Sequence, residues 1–230
     1  MTYPEFRAIG LIGWYLKSGS KTTFGGIALL ILAFLLPVAA GYFLGSLNFG
    51  IIISKKKFGA DVRDSGSGNA GTTNMLRTYG KTAAAMTLLG DFMKAVISVL
   101  IGTACFGMMT AHLAGLACIL GHAFPIYYHF KGGKGVACAA GMILAISPVT
   151  FLILFLFFAI IVGWTKYVSL GSIMCMLLYP VILDSVEPLK GPWTLAAIAC
   201  TVLVVWLHRE NIRRLREGKE NKISLGKKKK

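Results

Sequence analysis

Long apolar runs alternate with short polar gaps along this chain, and nearly all of its unusual side chains fall in the gaps. A membrane-spanning helix needs about 20 mostly apolar residues. On that template the sequence predicts seven helices, near 26–52, 82–106, 110–128, 135–147, 149–164, 168–186 and 191–208. The fourth and fifth are short and meet at Ser147–Pro148. Proline disfavours helical geometry in the residue before it, so a tight turn is expected there. The predicted fold is an all-α integral membrane bundle. Residues 1–24 form an N-terminal extension, 25–212 the transmembrane domain and 213–230 a basic tail. In the extension, Phe6, Ile9, Ile12, Trp14 and Leu16 suit a helix lying in the membrane interface. A cleaved signal peptide ending near Ala39–Ala40 is disfavoured, because the apolar run continues straight into polar sequence.

Composition agrees with a membrane protein: 56% of the 230 residues are hydrophobic and 14% charged. The formal net charge of +15 raises nucleic acid as a partner, but the charge sits in the wrong places. Of the 24 Lys and Arg, ten lie between Arg209 and Lys230 and six between Lys55 and Lys81. No nucleic-acid reading element accompanies them. Basic clusters beside apolar segments follow the positive-inside rule. Loops near 53–81, 129–134 and 164–167 and the tail are basic, whereas those near 107–109 and 147–149 carry no Lys or Arg. This alternation predicts an outside N-terminus and a cytoplasmic C-terminus. Arg7, Lys17 and Lys21 depart from it. The five cysteines are dispersed, without metal-ligand spacing, and read as packing residues.

The polar gaps on the predicted cytoplasmic side carry the candidate chemistry. The first holds Asp61 and Arg63, then Gly66-Ser67-Gly68-Asn69-Ala70-Gly71-Thr72-Thr73-Asn74, then Arg77. Glycines let the backbone approach an anion, Ser, Thr and Asn add neutral donors, and Arg adds a permanently charged fork. The second holds Lys131-Gly132-Gly133-Lys134-Gly135 ahead of a helix start, a setting suited to phosphate. It is not a nucleotide-binding P-loop, since Val136 stands where a metal-binding hydroxyl would be needed. The third places His208, Asn211 and Arg214 at helical spacing. Asp91 and Lys94, three apart inside the second helix, read as a structural ion pair or pocket floor. No paired carboxylates, metal cluster or Ser-His-Asp set is evident. The pattern predicts a polyanion pocket at the membrane surface, without metal or cofactor, for a phosphorylated and partly lipidic substrate.

At these residues the chain resembles the bacterial acyl-phosphate:glycerol-3-phosphate acyltransferases of the PlsY type. The matching stretches are GSLNFG (45–50), DVRDSGSGNAGTTNMLRTYG (61–80), GHAFPIYYHFKGGKGVA (121–137), VSLGSI (168–173) and HRENIRRLREGKE (208–220). Five ordered motifs spanning nearly everything after residue 40 make the match specific. The resemblance implies acyl transfer from acyl phosphate to glycerol 3-phosphate, giving lysophosphatidic acid and phosphate, as the first step of membrane phospholipid synthesis. It implies Ser67, Arg77, Lys134 and His208 as catalytic residues. It implies phosphate contacts at Gly66, Gly68, Asn69, Thr73, Asn74, Gly132, Gly133, Gly135, Ser172 and Asn211, with Asp91, Lys94 and Glu220 structural. The implied location is the bacterial plasma membrane, with the site at the cytoplasmic face. Implied partners are the two substrates and membrane lipid, and the soluble enzyme that forms acyl phosphate is admitted as another. Asn48 stands where the family usually has proline, and the leading 24 residues exceed the usual start. The reading from another class is a transporter or flippase for a phosphorylated solute or lipid, against which no internal repeat is seen. The HxxxxD signature of acyl-CoA-type acyltransferases and the multi-Asp motif of CDP-alcohol phosphotransferases are both absent.

Overall fold

The structure is a computed structural model, and it describes residues 2–17, 24–187, 191 and 193–223. Lys21, part of the basic tail and its terminal lysines fall outside them. Ten α-helices form among the described residues: α1 (Tyr3–Lys17), α2 (Phe24–Ser46), α3 (Phe49–Phe58), α4 (Thr72–Tyr79), α5 (Lys81–Ala123), α6 (Val136–Ile146), α7 (Pro148–Thr165), α8 (Val168–Val186), α9 (Trp193–Leu207) and α10 (Arg209–Arg216). By length and composition four stretches could cross a membrane: 34–58, 81–128, 148–165 and 168–186. Residues 193–216 make a fifth if the 56° bend between α9 and α10 lies within one span.

The longest helix is a hairpin. Phe106 (φ −140°, ψ 36°) and Gly107 (φ 67°, ψ −147°) leave helical geometry, and Thr110 Oγ1 donates across the turn to the Gly102 carbonyl at 2.6 Å. Beyond the turn the arms run together, so that a Cβ on Gly115 would lie 3.2 Å from the Val99 side chain. The two arms match the second and third predicted helices. The return arm packs on α2 backbone to backbone: a Cβ on Gly45 would lie 2.1 Å from the Cys118 carbonyl oxygen, and one on Gly121 2.1 Å from that of Tyr42. Close approach through small residues is how helices associate where lipid removes the hydrophobic drive. Cys118, Cys138 and Cys200 are fully buried in the core with Met142 and Tyr179.

One expectation needs correction, and two gain detail. The first predicted helix, 26–52, is interrupted at Leu47–Asn48, between α2 and α3. The fourth contains only the eleven residues of α6, about 16 Å of helix, roughly half a hydrocarbon core. The N-terminal extension does form a helix, broken at Gly10 (φ 65°), but it is docked rather than merely peripheral. Arg7 donates to the Ile146 carbonyl at 2.8 Å and pairs with buried Glu187 at 3.2 Å. Gly10 lies against Cys105 and Gly107, where a Cβ would clash at 2.6 Å. Thus α1 gathers the α5 turn, the α6–α7 corner and the end of α8 at one end of the bundle.

The α2–α3 break exposes backbone groups that need partners. Lys94 Nζ donates to the carbonyls of Gly45 and Leu47, both at 2.8 Å, while Asp91 Oδ1 accepts from Phe49 N at 3.4 Å. Asn48, at the break, is fully buried, and its Oδ1 has no partner among the described residues. Its φ of −86° lies just beyond the range proline imposes, and its Nδ2 makes only a long donation, 3.5 Å, to the His122 carbonyl. Asn48→Pro should therefore stabilise the fold by about 1 kcal/mol, by removing an orphaned acceptor and restricting the unfolded chain. Thermal unfolding in detergent checks this, and a lowered midpoint would refute it.

Candidate active site

At the end opposite α1 the polar gaps of the sequence meet. Asp61 accepts from Arg63 at 2.7 Å, and Arg63 reaches across to the carbonyls of Tyr128 (3.1 Å) and Lys131 (2.7 Å). The Arg63 guanidinium holds the Asp61 carboxyl well below the usual carboxylate range. That charged staple joins the first loop to the second. Arg77 Nη2 donates to the Asn221 carbonyl at 3.4 Å, and Ile223 N donates to the Lys166 carbonyl at 2.8 Å. The segment after α10 is thereby laid over the same end as a strap.

Between these segments lies a cavity of about 680 Å³, within the range of small-molecule sites. Its polar end is lined by Ser67, Asn69, Thr73, Asn74, Arg77, Lys134, Gly135, Ser172, His208 and Asn211. The first turns of two helices also line it, Gly71–Thr73 at α4 and Gly135–Ala137 at α6. Helix N-termini present unpaired N–H groups and a partial positive charge, so their convergence favours an anion. Away from this end the cavity continues between apolar side chains of α5, α6, α7 and α8.

Four expected phosphate contacts do other work. Gly66 (φ 63°) and Gly68 (φ 70°) shape the first loop without lining the cavity. A Cβ on Gly66 would lie 2.3 Å from Asn74 Oδ1. Gly132 N and Gly133 N donate to the carbonyls of Ala123 and His122, so their N–H groups are already used. A Cβ on Gly132 would lie 1.9 Å from the His122 oxygen. Asn74 lines the cavity, but its amide is committed to the loop. It accepts from Ser67 N and donates to the carbonyls of Val62 and Ser65, each at 2.8–2.9 Å. Asn69 spends its oxygen on Gly71 N at 3.0 Å. Ser172 donates to the Val168 carbonyl at 2.9 Å, which leaves it an acceptor toward the cavity.

The cations are organised through Glu220. Its carboxylate accepts from Asn211 Nδ2 (2.8 Å), Arg214 Nε (2.8 Å) and Ser169 Oγ (3.1 Å). Burial acts to raise its pKa, but Arg214 and Asn211 prevail and lower it. Asn211 Oδ1 in turn accepts from Lys134 Nζ. Burial pulls the Lys134 ammonium down to about 8, Arg214 and Arg77 adding to the effect and Glu220 opposing it. His208 is buried, and its Nδ1 lies 2.7 Å from the Val204 carbonyl. A carbonyl can only accept, so Nδ1 carries a proton, and in the neutral ring the lone pair therefore lies on Nε2. Arg214, grouped with His208 and Asn211 from the sequence, also lines the cavity, as do Ser169 and the strap residues Asn221 and Ile223, which were not assigned to the site from sequence.

Beneath the polar end, Lys94 Nζ lies 2.7 Å from Asp91 Oδ1 and 3.0 Å from His122 Nδ1. Asp91, His122 and Cys138 hold their donor atoms within 4.8 Å of one another, a spacing that could ligate a metal. The Lys94 ammonium contacts two of the three, so a cation of the protein already stands among them.

Comparison with known proteins agrees with this geometry. The family model described as glycerol-3-phosphate acyltransferase matches residues 35–218. A glycerol-3-phosphate acyltransferase of Geobacter sulfurreducens is 43% identical over 192 residues, 82% of this chain and 97% of the relative. One from Clostridioides difficile is 39% identical over 199 residues, 84% and 97% respectively. The crystal structure of PlsY, an integral membrane glycerol 3-phosphate acyltransferase, in its glycerol 3-phosphate form aligns with a TM-score of 0.79 at 40% identity. The alignment covers 83% of this chain and 95% of that one. The lysophosphatidic acid form aligns with a TM-score of 0.75 at 37% identity. With two helix N-termini and a cluster of cations converging on a cavity that runs on into apolar helices, this chain belongs to the glycerol-3-phosphate acyltransferase family.

Proposed function

We propose that the chain transfers a fatty acyl group from acyl phosphate to a hydroxyl of glycerol 3-phosphate, releasing lysophosphatidic acid and phosphate. The carrying observation is one continuous cavity, cationic at one end and apolar at the other. An amphiphilic donor and a small phosphorylated acceptor together need that combination. Arg77, Lys134 and the N-terminal turns of α4 and α6 provide positive charge for two phosphates that would otherwise repel each other.

The acyl phosphate is a mixed anhydride, so the chemistry needs positioning and anion stabilisation more than an activated nucleophile. The acceptor hydroxyl oxygen attacks the acyl carbon, and the acyl carbon–oxygen bond to phosphate breaks. Phosphate leaves with the electron pair, and the hydroxyl proton passes to one of its oxygens. His208, with its lone pair on Nε2, accepts a hydrogen bond from the other, non-reacting hydroxyl of glycerol 3-phosphate and so orients the acceptor. Asn74 and the four displaced glycines act on the reaction only by holding the two loops in shape.

The positive-inside pattern supports a cytoplasmic site, an outside N-terminus and a cytoplasmic C-terminus. Seven segments result when the α5 arms are counted separately and α6 is included. Single reporter cysteines replacing exposed Lys56, Lys131 and Arg216 in a Cys-free background should label only from the cytoplasmic side, and one replacing Ser185 only from outside. Any reversal of one site relative to the others would overturn the arrangement.

Purified protein in detergent should form lysophosphatidic acid from acyl phosphate, keep that activity in EDTA, and use acyl-CoA far more slowly. Equal rates with acyl-CoA, or loss of activity in EDTA, would refute the donor assignment. A transporter would show no acylation in detergent and would need a sealed vesicle.

Lys134→Ala and Arg77→Ala should each lower kcat/KM by about a hundredfold or more, the scale of a lost charge-assisted hydrogen bond in a partly desolvated pocket. Only protonated Lys134 neutralises phosphate, and its pKa is lowered to about 8. In the free enzyme kcat/KM should therefore fall as pH rises through about 8. Glu220→Gln should move that limb to lower pH, and Lys134→Arg should remove it. His208→Gln keeps hydrogen bonding without basicity and should retain more than about a tenth of the activity, whereas loss of a general base costs about 10²–10⁴-fold. A limb that ignores both Lys134→Arg and Glu220→Gln would show that another group titrates.

A further inference from the structure

The apolar part of the cavity is a slot with a far wall. Its lips are the outgoing arm of α5 and the facing side of α7, and both expose apolar side chains outward. Leu89 is 63% exposed and Phe155 52%, and both line the cavity. In a bilayer such a slot opens sideways to lipid, so a tail can enter without passing through water. The slot begins near Val162, which lies opposite Gly171 of α8, where a Cβ would sit 2.8 Å from it. That level adjoins Ser172 and the polar end. Eleven residues further along α7 the slot meets Phe151, whose ring stands 6.1 Å from that of Phe92 at 71°, an edge-on contact between the lips.

The two rings are held in place. Phe151 stacks on Phe155 at 5.8 Å and 17°. Phe92 belongs to a stretch of α5 pressed against α6, where a Cβ on Gly141 would lie 2.2 Å from the Phe92 carbonyl oxygen. Near Phe151, α7 is tied to α8 by Cys175 Sγ, which donates to the Leu154 carbonyl at 3.3 Å, so neither backbone can swing aside without unpacking a helix pair. From Val162 to Phe151 the helix advances about 16 Å. A zigzag of ~1.5 Å bonds gains about 1.3 Å per carbon, so roughly twelve methylenes fit before the rings. With its carbonyl and terminal methyl, that is a chain of about fourteen carbons.

Attraction cannot select such a chain. Lipid tails are as apolar as the slot, so moving one more methylene from bilayer to protein gains little. Selection has to come from exclusion, in which a tail that overruns its site is overpacked or forced out of line. We propose that the Phe92–Phe151 pair is the specificity-determining wall of the acyl subsite and sets the preferred donor length. This rests on the acyl-phosphate reading above. A longer tail must turn out between the lips, past Leu89, and loses alignment with the reacting end.

The test is a competition among acyl phosphates of ten, fourteen and eighteen carbons in the same micelles, with products resolved by mass. The wild-type enzyme should favour the fourteen-carbon donor over the eighteen-carbon one. Phe151→Ala removes a ring about 5 Å long, room for about four more carbons. It should raise the eighteen-to-fourteen ratio of kcat/KM by about tenfold, the scale of relieving one or two overpacked methylenes. Phe92→Trp should shift preference the other way, toward the ten-carbon donor. If Phe151→Ala does not accumulate, Phe151→Leu carries the same direction with a smaller shift. Ratios unchanged in the Leu and Trp variants, with fourteen-carbon turnover retained, would overturn the wall. Wild-type protein forming no product from any acyl phosphate would instead overturn the donor assignment and is distinguished by that.

Discussion

One buried ammonium holds the site together. Lys94 closes the break between α2 and α3 by binding the carbonyls of Gly45 and Leu47, and it is balanced there by Asp91. Its remaining neighbour is His122, on the return arm of the same hairpin. The His122 carbonyl takes the N–H of Gly133, and its ring fills the space that a side chain at that glycine would need. A single charge thus ties together the helix break, both arms of α5 and the loop that presents Lys134. Removing one partner of a buried ion pair typically costs about 3–5 kcal/mol. Here the loss would also release the backbone that shapes the phosphate end.

The same logic runs outward in layers. Asp61 and Arg63 clip the two loops to each other, and Asn74 folds the first loop round its own amide. Glu220 then gathers Asn211, Arg214 and Ser169 from two helices. Each layer spends carboxylates and amides on protein partners, and the outermost leaves Arg77, Lys134 and Arg214 lining the cavity. Such prearranged charge stabilises a developing anion without reorganising at the moment of reaction. It also sets cations against one another, and this adds to the larger effect of burial in making Lys134 hold its proton less firmly than a surface lysine does.

Much of this was legible in the sequence because membrane chemistry leaves polar residues few places to go. Dense Gly, Ser, Thr and Asn marked the first loop and interleaved Gly and Lys the second, and Ser147–Pro148 marked a corner that the structure builds with Pro148 as the first residue of α7. The α2–α3 break was hidden, because residues 26–52 carry no charge, with Ser46 and Asn48 the only strongly polar side chains, and the groups that satisfy the break lie more than forty residues away on α5. Glycine roles were hidden for a related reason. A glycine that admits a ligand and one that admits another backbone look alike until the neighbour is known, and for Gly132 and Gly133 the neighbour is His122. The strap was hidden because its contacts, from Asn221 to Arg77 and from Ile223 to Lys166, join positions remote in sequence.

The sideways opening between α5 and α7 has a consequence for traffic. The cavity opens at two places, its cationic end and the slot whose lips carry the exposed side chains Leu89 and Phe155. A tailed molecule and a small polar one can therefore reach one point by separate routes, each from the medium in which it dissolves. Neither has to cross the other's medium or wait at a shared entrance, and the architecture works as a two-door antechamber that needs no moving part.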